Sequence, residues 1–169
     1  MADKPLQVII EIPRGSRNKY EYDHVTHRIR LDRVLHSAVH YPTDYGFIPE
    51  TLAQDGDPLD VMVIVEEPNY PGVEVPVRPI GVLRMRDEKG SDEKILAVPV
   101  NDPRFDEINS LDDVRKHWLR EIEMFFATYK LLEDKETDLE GWDDEKDAAR
   151  VIADATERFV RSERAGREL

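Results

Sequence analysis

Cysteine is absent from the 169 residues, so a disulfide framework, a thiolate zinc centre and a cysteine nucleophile are all excluded. Also missing is any apolar run close to the roughly 20 residues that cross a bilayer. The opening M-A-D-K-P-L lacks the basic-then-apolar order of a secretory signal, and a soluble, cytoplasmic protein with no membrane partner is expected. There is no glycine-rich phosphate loop and no G-x-S-x-G elbow, which removes the P-loop and serine-hydrolase mechanisms. His24, His27, His36 and His40 have no zinc spacing, and His24 reads as a turn residue. Positive charge is scarce: 24 Lys and Arg stand against 37 Asp and Glu, a formal net charge of -13, which disfavours nucleic acid as a ligand. The acids are spread along the chain, so most of them read as a solvated surface.

What is present is a 40% hydrophobic content, enough for one core in a chain of this length, and a single domain over residues 1–169 is expected. Alternation predicts strands at Leu6 to Ile12, around Tyr20 to Tyr22, and at Arg28 to Val34, bounded by turn formers such as Pro13, Gly15 and Asn18. Val61 to Val65 reads as a buried β-branched strand. Ile80 to Arg86 and Lys94 to Val100 read as a hairpin around Gly90. Prolines from Pro68 to Pro79 mark an extended connection with room for one edge strand. The helical spacing of Val114, Trp118, Ile122, Phe125, Tyr129 and Leu132 predicts a helix from Leu111 to Leu132 with Ser110 as N-cap. A charged C-terminal helix is expected within residues 143–169, from Asp143 to about Arg164. Strands first and helices last predict an α+β fold: a small closed or partly open antiparallel β-barrel, OB-like, with helices packed outside.

Against that frame, D-G-D-P-L-D crowds Asp55, Asp57 and Asp60 at the mouth of an apolar strand. Crowded carboxylates repel, and a hard divalent cation relieves them, although Asp55-Gly56 alone also fits a turn serving only the backbone. An EF-hand is excluded because Leu59 stands where an oxygen ligand is required. Asp87 and Asp92 end the hairpin loop, with Lys94 at strand spacing from Asp92. Arg33 follows Ile29 and Leu31 on one strand face, Glu11 stands between Ile10 and Ile12, and Lys19 and Glu21 share a face. An internal salt-bridge network explains these as well as a site does. Tyr41 and Tyr45 flank a proline turn, and Tyr129 continues the helix stripe with Lys130 beside it. Tyrosine hydroxyls and lysines near a metal cluster would suit phosphate oxygens.

Taken in order, E-I-P-R-G-S-R-N-K-Y-E, L-D-R, Y-P-T-D-Y-G, D-G-D-P-L-D-V, R-P-I-G-V-L, D-E-K-G-S-D-E-K and F-F-A-T-Y-K closely resemble the soluble inorganic pyrophosphatases of family I, bacterial type. The resemblance implies hydrolysis of pyrophosphate to two orthophosphates by direct attack of a metal-activated water. It implies several magnesium ions per site, with manganese or zinc as substitutes, and a homohexamer. By the same resemblance Asp55, Asp60 and Asp92 are ligands of the tighter metals, Asp87 with Asp92 holds metal arriving with substrate, and Glu11 and Glu21 hold further metal or its water. Asp57 corresponds to the base, and Lys19, Arg33, Tyr45, Lys94, Tyr129 and Lys130 to groups around the two phosphates. The alternative is a non-catalytic barrel module that binds a phosphate-rich anion through metal.

Overall fold

The computed structural model describes residues 4–167, so both ends of the expected 1–169 span lie outside the described residues. Strand β1 (Leu6–Ile12) buries Val8, Ile10 and Ile12 by simple alternation. It is followed by the hairpin of β2 (Asn18–Asp23) and β3 (Arg28–Val34). Asp23 makes that turn: its Oδ1 accepts the backbone N–H of Val25 and of Thr26, each at 2.9 Å. Then come β4 (Asp44–Ile48), β5 (Leu59–Val63), β6 (Glu74–Asp87), β7 (Gly90–Pro99) and, after the first helix, β8 (Asp138–Asp143).

Five of these strands close on themselves. The pairing order β1-β4-β5-β7-β6 returns to β1, a small barrel as expected, with β8 laid along β6 as a sixth strand and β2–β3 standing outside as a separate sheet. The 14-residue β6 serves three neighbours, because its first residues pair with β1 and its last with β8 while β7 follows it almost throughout. One feature departs from an all-antiparallel barrel: β5 and β7 run parallel, with Asp60 beside Lys94 and Val61 beside Ile95. β6 lies between them in sequence and reverses the chain before β7 returns, so the parallel pair needs no helical crossover. Gly46 on β4 allows β1 and β4 to approach, since a Cβ there would lie 1.8 Å from the Ile9 carbonyl oxygen.

The helices differ from expectation at their ends. The periodic segment at 111–132 divides into a 3₁₀ turn (Leu111–Asp113), helix α1 (Lys116–Thr128) and a second 3₁₀ turn (Leu131–Glu133). Val114 is extended between the first two, so its place in the apolar stripe reflects burial and not helix. Asp113 reaches back to accept the N–H groups of Asn109 and Ser110, so the expected capping chemistry closes the first 3₁₀ turn instead of the main helix. Helix α2 (Glu145–Arg167) begins after Asp143, because residues 138–143 form β8. That strand escaped the alternation rule because Gly141, at φ +116, sits beside a register shift on β6. Strand β4 was likewise read only as a turn; all five of its residues are buried.

Two apolar clusters lie on opposite faces of the β5–β7 pair. One gathers Val61, Val63, Ile95 and Ala97 with Val8, Ile10 and Ala155 of α2. The other gathers Met62 and Leu96 with Tyr41, Tyr45, Phe125, Phe126 and Tyr129. The second carries the candidate site.

Candidate active site

All thirteen predicted site residues line one open cavity of about 330 Å³. At its rim the Asp55–Asp60 turn is built from local chemistry. Gly56 adopts φ +89, the Asp57 N–H donates to Asp55 Oδ1 at 3.0 Å, and the Ala53 N–H donates to Asp57 O at 2.7 Å. Asp55 therefore serves its own turn and still faces the cavity, while Asp57 is exposed.

Parallel register sets the centre. Lys94 stands beside Asp60 across β5–β7, and Asp92 lies two residues earlier on the same face of β7. The Lys94 Nζ lies 3.0 Å from Asp60 Oδ2 and 3.1 Å from Asp92 Oδ2, and it donates to Tyr45 Oη at 2.7 Å. It also lies 5.1 Å from the ring centres of both Tyr45 and Phe126. Burial works against this charge, but Asp60 and Asp92 outweigh it and hold the Lys94 pKa well above its ordinary value. Burial likewise pushes the Tyr45 and Tyr129 hydroxyls up, so both stay protonated as donors.

The acids show the opposite stress. Burial raises Glu11 to about 7, with the charges of Asp60 and Glu21 adding to it and the Tyr22 N–H, 2.7 Å from Oε2, opposing. Asp92 is raised by burial with Asp60 adding, and Asp55 by burial with Asp57 and Asp92 adding. Glu21 and Lys19 reach the cavity from β2, Arg33 from β3, Asp87 from the end of β6, and Tyr129 and Lys130 from the end of α1. Lys130 Nζ stands 3.6 Å from Asp87 Oδ2.

Nine acids and six lysines or arginines line this cavity, a formal excess of three negative charges. The donors are hard carboxylate oxygens held in tension with one another, the set that a hard divalent cation takes. The residues therefore fit such an ion chemically. Among the described residues no three acids stand as a finished coordination sphere, and Lys94 bridges Asp60 and Asp92 directly.

Some neighbours were not singled out from the sequence. Asp32 lines the cavity and contacts both Lys19, at 3.2 Å, and Arg33, at 2.7 Å. It is part of the quoted L-D-R, but strict alternation turned it away from Arg33; on this two-stranded hairpin, whose register shifts at Lys19, that rule weakens. The same weakness leaves Leu31 55% exposed, where it had been placed on an inward face. His24 is in a turn, as read, yet it also lines the cavity, edge-on to Tyr22 and Phe47. Tyr41 does not line it; it is buried against Tyr45 and Phe125. Arg14 donates to the Val65 carbonyl at 3.0 Å and holds the outgoing chain of β5.

A family model described as inorganic pyrophosphatase matches residues 8–160. The chain is 52% identical to an inorganic pyrophosphatase of Methanosarcina mazei, covering 90% of each, and 54% identical to one of Leifsonia xyli, covering 86% of this chain and 90% of the relative. Its fold superposes on the crystal structure of inorganic pyrophosphatase from Thermus thermophilus with a TM-score of 0.90 at 47% identity, covering 94% and 92% of the two chains.

Proposed function

Because this chain belongs to the soluble inorganic pyrophosphatases of family I, we propose that it hydrolyses inorganic pyrophosphate to two orthophosphates by direct attack of water in this cavity, without a phosphoenzyme. It is a hydrolase acting on a phosphoric anhydride. The observation supporting the residue-level reading is convergence: six acids from five segments and four basic side chains from four segments meet in one cavity.

Pyrophosphate would not enter a net-negative cavity unaided. Glu11, Glu21, Asp55, Asp60, Asp87 and Asp92 are the residues that would hold magnesium, several ions per site, with manganese or zinc as substitutes. When bound, magnesium neutralises substrate charge and acidifies the attacking water. Lys19, Arg33, Lys94 and Lys130 supply cations to the two phosphates, and the protonated Tyr45 and Tyr129 can donate hydrogen bonds to phosphate oxygens. Asp57 is the base that takes the water's proton: it is exposed at the rim and free of the Lys94 pairing that occupies Asp60 and Asp92.

Phosphate release from pyrophosphate, with and without magnesium and beside a nucleoside triphosphate, tests catalysis and substrate choice together. Magnesium-dependent release from pyrophosphate is expected; none from any substrate would sink the reading. Calcium, larger and more loosely coordinated, is expected to inhibit, and undiminished turnover with calcium in place of magnesium would argue against hard octahedral control. Family likeness further supports a cytoplasmic homohexamer. Among the described residues no helix is long and apolar enough to cross a membrane. A six-chain mass in sedimentation is expected, and a monomer would remove that assignment.

A further inference from the structure

Arg33 is held from two sides. Its Nη1 lies 2.7 Å from Asp32 Oδ2, the oxygen that also meets Lys19 Nζ at 3.2 Å. Its Nε lies 2.7 Å from Oε1 of Glu133, at the end of the 3₁₀ turn that follows Tyr129 and Lys130. Nη2 engages no partner among the described residues. Glu133 does not line the cavity, and its side chain is 8% exposed, against 23% for Arg33. Its other oxygen, Oε2, is buried with no hydrogen-bond partner, and the Arg33 Nε–H is not aligned on Oε1 despite the short contact. A carboxylate kept in this state is costly. Packing alone does not account for it, because an uncharged side chain of the same shape would fill the space more cheaply.

We propose that Glu133 is a positioning residue, which anchors the Nε edge of the Arg33 guanidinium so that its remaining edge is presented to a phosphate of the substrate. This rests on the reading of the cavity as a pyrophosphate site. The contact joins the β2–β3 hairpin, outside the barrel, to the end of α1. Lys19 and Glu21 on that hairpin and Tyr129 and Lys130 after α1 face the same cavity, so one ion pair ties together the two walls that carry them. Two effects of Glu133 oppose each other. Its charge offsets part of the attraction of Arg33 for phosphate, while its anchoring removes rotamer freedom that binding would otherwise have to freeze. Arginine recognises phosphate through a planar fork whose value depends on direction, so anchoring is the larger effect.

The test uses Glu133→Gln, which removes the charge and keeps the shape, and Glu133→Asp, which keeps the charge on a shorter stem. With magnesium pyrophosphate, Glu133→Gln is expected to raise KM about tenfold while kcat changes less than about threefold, the pattern of lost substrate holding. Glu133→Asp is expected to fall between the Gln variant and wild type. In an Arg33→Ala background, Glu133→Gln is expected to change KM by less than about twofold, since the residue it acts through is gone. A KM unchanged or lowered by Glu133→Gln, a Gln variant that matches or betters the Asp variant, or a full effect retained without Arg33 would each overturn the proposal. A wild-type protein that releases no phosphate from pyrophosphate would instead defeat the functional reading on which it stands.

Discussion

The two faces of the β5–β7 pair share one backbone and differ in almost everything else. On one face Val61, Val63, Ile95 and Ala97 meet other aliphatic side chains and the small residues Ala148 and Ala155 of α2. On the other, Met62 and Leu96 share a cluster with six buried aromatic rings, and at the mouth the buried Lys94 ammonium is compensated by Asp60, Asp92 and Tyr45. The first face asks only that volume be filled. The second requires every charge to have a counter-charge, because an unpaired ion at that depth costs far more than a missing methylene. Alternation in two short strands therefore separates a wall that builds stability from a wall that builds chemistry.

Substitutions on the two walls should accordingly fail in different ways. Asp57→Asn, at the exposed rim, is expected to lower kcat by about a thousandfold while the melting temperature stays close to wild type. Full activity in steady-state phosphate release would remove Asp57 from the mechanism. Lys94→Met leaves Asp60 and Asp92 facing each other without a cation, and kcat/KM is expected to fall about a hundredfold. Its melting temperature should also drop without magnesium and recover when magnesium is added; thermal melts with and without the ion check this, and a loss that magnesium does not repair would make Lys94 a packing residue. Across the sheet, Ile95→Val is expected to cost about 1 kcal/mol of stability in denaturant unfolding and to leave kcat/KM per folded molecule unchanged. A change in kcat/KM there would show that the two faces are mechanically coupled.

The smallest effect belongs to the hairpin tip, away from both faces. The N–H groups of Thr26 and Val25 hold the Asp23 carboxyl below its ordinary range. A carboxyl depressed in the folded state stabilises above its unfolded pKa, and that contribution is lost as pH falls through the folded value. Asp23→Ala should therefore melt slightly lower than wild type at neutral pH, with the gap closing below roughly pH 4. A gap independent of pH would assign the effect to turn geometry alone.

Legibility from sequence followed range. β1 and β3 were found at their observed limits, and the turn chemistry of Asp55, Gly56 and Asp57 was readable because those contacts span a few residues. β4 was missed because Tyr45, Gly46 and Phe47 are buried on both sides and do not alternate, and β8 because a glycine interrupts its pattern. Within the site, thirteen of the residues singled out face the cavity while Tyr41 is buried behind Tyr45, and Asp32 and Glu133 were passed over. Neither has a local signal; their meaning comes from Arg33, whose position relative to them depends on how a two-stranded hairpin leans on a helix end.

By itself the sequence determined which chemical groups are available: hard oxygen ligands, permanent cations and buried tyrosines, with no thiol and no phosphate loop. It also determined the local turns and alternation that present them, since those depend on neighbouring residues. Only the tertiary structure decided which acid meets which base. Asp60 stands beside Lys94 because two strands from distant parts of the chain run parallel in one register, and a shift of one residue would turn Lys94 into the aliphatic face.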